Sequence, residues 1–332
     1  MSNAKQILAM LRSRAEGDDD LFLSIALQIA ASEARQGHRS TADQIRSAVE
    51  AARTAKKASS VAIPFARPRG DLEGLLEHRK PRYTLKDVVL SEPIRGRLNE
   101  FVREQLKRAW LREHSKTPNR RALFVGPPGS GKTMTAEALA GQLSLPLFVI
   151  RLEALITRYM GETAAKLRLV FDETAKRRAV YLFDEFDAVG GRRTANNDVA
   201  EMRRVLNSFL QYMEEENATD SIIIGATNHP ELLDNALVRR FDIALAFEKP
   251  TKDQVRQIIL AAMRPFKAKR LSWTALFEAA EGLSQAEITR ATEDAVKSAI
   301  LNESDTVTSD QLAKRLLERR EMHQTFSSKK DH

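Results

Sequence analysis

The stretch Gly126-Pro-Pro-Gly-Ser-Gly-Lys-Thr133 constrains this chain more than any other. It fits the spacing G-x-x-x-x-G-K-[ST], in which each fixed position has a physical reason. Gly126, Gly129 and Gly131 permit backbone angles that let successive N–H groups curl around phosphate oxygens, with Pro127, Pro128 and Ser130 completing the loop. Lys132 brings a positive charge to the β and γ phosphates, and the Thr133 hydroxyl can ligate Mg2+. Ala122 to Val125 reads as a short buried strand, and Thr133 to Leu143 as a helix whose positive end faces the phosphates. A glycine-rich turn with an incidental lysine is the competing reading, and strand before with helix after counts against it.

Two more apolar runs end in polar residues suited to the same chemistry. Val180 to Phe183 leads into Asp184 and Glu185. Asp184 would hold Mg2+ opposite Thr133, and Glu185 is placed to take a proton from an attacking water. A solvated acidic turn is the plainer alternative, and Asp187 reads as a supporting acid. Ser221 to Ala226 is an Ile-rich run, as expected of a parallel strand buried on both faces, and it delivers Thr227 and Asn228 to the same sheet edge. The Asn228 amide there can orient a water or touch the γ-phosphate; the alternative is an asparagine in the turn before His229-Pro230.

The segment from Ser221 to Asp242, SIIIGATNHPELLDNALVRRFD, closely resembles the second region of homology of AAA ATPases, within the AAA+ group. The resemblance implies that Arg239 and Arg240 are arginine fingers reaching the γ-phosphate of an adjacent protomer. Their being consecutive resembles the katanin and spastin branch. A guanidinium offers fixed donors to developing charge, and lending it to a neighbour makes hydrolysis depend on assembly. A basic helix end is the alternative. The triplet Tyr159-Met160-Gly161 resembles the first pore loop of AAA unfoldases, which implies a grip on an extended peptide, against the reading of an ordinary surface tyrosine. Gly190 to Arg193 falls where a second pore loop starts.

The resemblance spans about Asp87 to Leu301 and has departures. Asp87-Val88-Val89-Leu90 has no glycine where many members meet adenine, so Val88 and Val89 are expected to offer backbone groups there. Tyr212 to Glu215 stands where an Asp-Gly-Phe inter-subunit signal is common. Ala286 takes the place of a phosphate-touching arginine, and Arg290, one turn on, reads as a surface residue. No His-Glu-x-x-His zinc motif follows.

Organisation follows from composition. Residues 1–57 are Ala-rich and helical by periodicity, in three helices with faces such as Ile7-Leu8-Leu11 and Leu21-Ile25-Leu27-Ile29, and read as a recruitment domain. Residues 58–83 carry prolines, glycine and arginines and read as an extended linker. An α/β ATPase subdomain with a parallel sheet is expected over 84–250. A helical lid is expected over 251–322, with a helix from Ser309 through Leu317, and a frayed tail over 323–332. Thr251 and Ser284 read as helix caps within that lid.

The chain of 332 residues has no cysteine, which excludes disulfides and thiolate metal sites and fits a reducing cytoplasm. No run of about 18 apolar residues suggests a membrane span. The net charge of +8 raises nucleic acid as a partner, yet the charges are mixed in sign and only four Tyr and two Trp are available for stacking. The leading expectation is an ATP- and Mg-dependent remodeller of protein substrates. It would act as a ring homo-oligomer, hexameric by resemblance, and recruit an adaptor or separate protease through its N-terminal helices. A nucleic-acid-directed AAA+ ATPase is the alternative.

Overall fold

Apolar runs of four to six residues, too short for helices, build the central sheet. A computed structural model of the chain describes residues 19–35, 37–45, 47–49, 72, 74–155, 162–186, 198–215, 219–233, 235–268 and 271–327. They divide into two units, 1–66 and 67–332. The second unit holds the strands β1 (Leu76–Arg79), β2 (Arg121–Val125), β3 (Leu147–Ile150), β4 (Val180–Phe183), β5 (Ile222–Thr227) and β6 (Ile243–Ala246). Their order is β1-β3-β4-β5-β2-β6. All neighbouring pairs from β3 to β6 are parallel, and β1 runs antiparallel to β3.

Every residue of β3, β4 and β5 is buried, because helices cover both faces. Alternate side chains enter opposite cores. Val180, Leu182, Ile222 and Ile224 join Leu98, Phe101 and Leu139 on one side. Tyr181, Phe183 and Ile223 join Leu167, Phe171 and Phe209 on the other. Burial pushes the Tyr181 hydroxyl well above its ordinary pKa, while it donates to the Glu173 and Arg177 carbonyls.

The helices, in chain order, are α1 (Asp19–Arg35) in the first unit, then α2 (Glu92–Leu106), α3 (Arg108–Glu113), α4 (Lys132–Gln142), α5 (Leu152–Leu155), α6 (Glu162–Lys176), α7 (Asp198–Glu214) and α8 (Asn235–Val238) around the sheet. A separate apolar core including Ile259, Leu276, Ile288, Ala291 and Leu312 gathers α9 (Lys252–Ala262), α10 (Trp273–Ala279), α11 (Gln285–Leu301) and α12 (Ser309–Ser327). Thr251 and Ser284 each form a capping box, with Gln254 and Glu287. No helix among the described residues is long and apolar enough to cross a membrane.

Three sequence expectations meet the structure differently. The stretch read as linker contains β1, with Leu75 and Leu76 buried and Arg151 N donating to Leu75 O. One short strand among prolines and arginines carries too little periodicity to read. The last helix runs past Leu317 into the expected tail, since Glu318, Arg319, Arg320, Glu321 and Met322 are good helix formers and Arg319 pairs with Asp294. In the first unit α1 covers the second expected helix, residues 39–45 and 47–49 are helical within the third, and the first lies outside the described residues.

Asp242 fastens the sheet at its other end. Its carboxylate accepts from Arg120 N at 2.8 Å, Arg121 N at 2.9 Å, Arg121 Nε at 3.1 Å and Arg121 Nη2 at 2.7 Å, tying the starts of β2 and β6 together. Asp242→Ala orphans these donors and is expected to cost about 2–3 kcal/mol of stability. Urea unfolding checks this, and an unchanged midpoint would refute it.

Candidate active site

The strands β2, β4 and β5 are parallel, so their C-terminal ends share one edge. The loop after β2 needs glycine for steric reasons. At Gly126 (φ 150°) an added Cβ would lie 2.2 Å from the Phe247 carbonyl oxygen, and at Gly129 (φ 72°) 2.7 Å from Ser284 Oγ. Helix α4 begins immediately after Gly131 and turns its positive end into the loop.

Two hydrogen-bonded links gather the polar residues of the edge. Lys132, buried, donates from Nζ to Gly126 O at 2.7 Å, Pro127 O at 3.0 Å and Asn228 Oδ1 at 2.8 Å. Thr133 Oγ1 donates to Asp184 Oδ2 at 2.7 Å, while Asp184 Oδ1 accepts from Glu185 N at 3.0 Å. Residues far apart in sequence thus meet as the motif spacing suggests.

Glu185 is exposed and sits in the left-handed region at φ 51°. Such a backbone costs about 1–3 kcal/mol for a residue other than glycine and must be held from outside. Phe186 does the holding. Its N–H donates to Ala226 O at 2.8 Å, and its buried ring packs on Phe183, Phe209 and Phe241. The turn after β4 therefore presents the Glu185 carboxylate beyond the sheet edge.

The residues fit a nucleotide phosphate and a hard cation. Ser130 Oγ is buried in the loop and meets no hydrogen-bonding group, an unmet need that a phosphate oxygen would satisfy. The Thr133 hydroxyl and Asp184 carboxylate lie together and are the oxygen donors that Mg2+ takes.

The lid reaches the loop directly. Ala286 N donates to Gly129 O at 3.0 Å. A cavity of about 340 Å3 lies between Pro127, Pro128, Gly129 and Ser130 and the start of α11, with Lys249 and Arg290 also on its wall. Val88 is buried in the sheet core and Val89 packs against the lid. The Val88 carbonyl accepts from Arg95 and the Val89 carbonyl from Gln285 at the start of α11. Asp87, which accepts from the N–H and hydroxyl of Thr84, is held below the usual carboxylate pKa and closes the turn ahead of them.

Arg239 and Arg240 stand elsewhere. They follow α8 and precede β6, whose first residue pairs with Ala122 at the start of β2. The phosphate loop begins after Val125, about 13 Å further along that strand. Both arginines are exposed, and Arg240 pairs with Glu214 at the end of α7. Ser284 and Gln285 are not visible as site neighbours in the sequence, where the capping box opening α11 reads as structural; Glu214 lies in the Tyr212 to Glu215 segment set against the inter-subunit signal, but nothing in the sequence points to its pairing with Arg240. Tyr159, Met160, Gly161, Asp187 and Gly190 to Arg193 lie outside the described residues.

A family model, the ATPase family associated with various cellular activities (AAA), matches residues 122–249. The uncharacterized AAA family ATPase y4kL of Sinorhizobium fredii is 34% identical over 293 residues, 86% of each chain. An ATP-dependent zinc metalloprotease FtsH of Lancefieldella parvula is 37% identical over 172 residues, 50% of this chain and 27% of that protein. A protein of Methanothermobacter marburgensis named as a 26S proteasome regulatory subunit homologue is 30% identical over 191 residues, 56% of this chain and 51% of its own length. The phosphate loop, the carboxylates after β4, the asparagine after β5 and a relative matched nearly end to end lead to one conclusion: this chain is a member of the AAA family of ATPases.

Proposed function

We propose that this chain hydrolyses ATP as a ring of copies, six by family resemblance, and uses the energy to remodel polypeptide substrates. One observation carries the reading. Lys132, Asn228, Thr133, Asp184 and Glu185 converge at one edge of the sheet, while Arg239 and Arg240 are exposed at the other. This supports a reading in which the chain holds its own hydrolytic groups together and lends its exposed arginines to a neighbouring copy.

The roles follow from position. The loop N–H groups and Lys132 hold the phosphates, with Val88, Val89 and Ala286 walling the base and loop. Thr133 and Asp184 would hold Mg2+, whose charge offsets that of the β and γ phosphate oxygens. Asn228 orients the attacking water and Glu185 accepts its proton. Arg239 and Arg240 of a neighbouring copy meet the charge developing on the γ-phosphate. Their adjacency in sequence is the basis for the katanin and spastin likeness.

The polypeptide substrate is supported by two of the relatives, named as a metalloprotease and as a proteasome regulatory subunit homologue, and by the Tyr159-Met160-Gly161 triplet. Tyr159→Ala is expected to leave ATP turnover within about twofold of wild type, while ATP-driven unfolding of a fluorescent test protein fails. Undiminished unfolding would remove the threading claim. Residues 1–57 would recruit the substrate or an adaptor in the cytoplasm. The net charge of +8 favours a second reading, a nucleic-acid-directed ATPase. Stimulation of turnover by oligonucleotides that persists at physiological salt would support it, because bare charge attraction fades steeply there.

A further inference from the structure

A surface far from the site's chemistry lacks a partner within the described residues. Helix α3 is six residues long and buries none of them. So short a helix is marginal alone and owes its shape to what it packs against. It carries Trp110, 56% exposed, one turn after Leu106, 65% exposed at the end of α2. Lys107 between them keeps near-helical angles (φ −99°, ψ 17°), so the two lie at the spacing of one helical face. His114, a turn further, rests its ring on Trp110 at 4.4 Å between centroids and donates from Nδ1 to the Trp110 carbonyl at 2.9 Å. By contrast the chain's other tryptophan, Trp273, is packed between Arg256 and Phe277.

The surroundings are strongly basic. From Arg103 to Arg121 there are seven arginines and lysines against two glutamates. Arg108 and Arg112 are partly answered by Asp220, and Arg121 by Asp242. Arg103 and Lys107, within a turn of the apolar pair, remain exposed, as does Lys116 just past the end of α3.

We infer that the Leu106–Trp110 face docks an acidic amphipathic segment of a partner polypeptide. Leucine-like side chains one turn apart cover the apolar pair, and carboxylates meet Arg103, Lys107 and Lys116. An apolar anchor in a charged rim is the usual anatomy of a protein interface. Nucleic acid fits less well: one tryptophan, already covered on one side by His114, offers little stacking, and Arg112 and Arg121 are paired with carboxylates.

The test uses the full chain and a fluorescent Glu-rich peptide with leucines one turn apart, read by anisotropy. Expected is saturable binding that weakens with salt and falls about tenfold or more in both Trp110→Ala and Lys107→Glu. ATP turnover in both variants should stay at the wild-type value, which separates a docking role from a folding defect and from failure of the hydrolytic reading. Three results would overturn the inference: no binding by the wild-type chain, equal binding by all three proteins, or Trp110→Ala sparing the peptide while abolishing self-assembly or oligonucleotide binding.

Discussion

Arg240→Ala is expected to bind ATP normally and to hydrolyse it about 10³–10⁵-fold more slowly, the range over which a supplied arginine acts in phosphoryl transfer. Binding is expected to survive because Arg240 precedes β6, which begins beside Ala122 at the end of β2 away from the phosphate loop. Turnover should fall because, on the proposed reading, the neighbour's γ-phosphate would lose a fixed pair of donors as its charge develops. The ion pair with Glu214 does not compete seriously with that role. Both side chains are about half exposed, and surface pairs of this kind are worth about 0–1 kcal/mol, so the arginine is released at small cost. Phosphate release with saturating ATP, alongside nucleotide binding by equilibrium dialysis, separates the two effects. Loss of binding in parallel with turnover would mean that the residue holds the fold or the loop instead.

Glu185→Gln should retain ATP and lose about 10²–10⁴-fold in turnover. The amide keeps the shape of the carboxylate, and Phe186 holds the turn in either case, so position is unchanged and only basicity goes. Asp184 cannot take over. Its two oxygens are engaged by Thr133 and by the Glu185 N–H, and they face the cation site. The variant should therefore accumulate as ATP-loaded assemblies, visible by size-exclusion chromatography, and retain substrates long enough for capture. Turnover within about tenfold of wild type would remove Glu185 from the role of base.

Much of the site was legible in the sequence because its constraints are local. A loop that must admit backbone N–H groups demands glycine at fixed intervals, and a strand that must deliver a carboxylate to the sheet edge shows as an apolar run ending in acid. The same locality made the capping boxes at Thr251 and Ser284 readable. What escaped notice depends on partners distant in the chain. Leu76 reads as linker until β3 is beside it, and Gln285 reads as the start of a helix until Val89 lies within its reach. Glu214 lies in the segment that replaces the Asp-Gly-Phe signal, and its partner Arg240 is known only once the fold brings the two together. Trp110 would be assigned to a core by residue type, and its exposure follows only from α3 lying on the surface.

The claim on which the account turns is that each hydrolytic centre is completed by another copy. ATP turnover per chain, measured across a dilution series with assembly followed by light scattering on the same samples, tests it most directly. The account expects turnover per chain to collapse as the assemblies dissociate and to return on concentration. A dissociated chain that hydrolyses ATP as fast as the assembly does would contradict it.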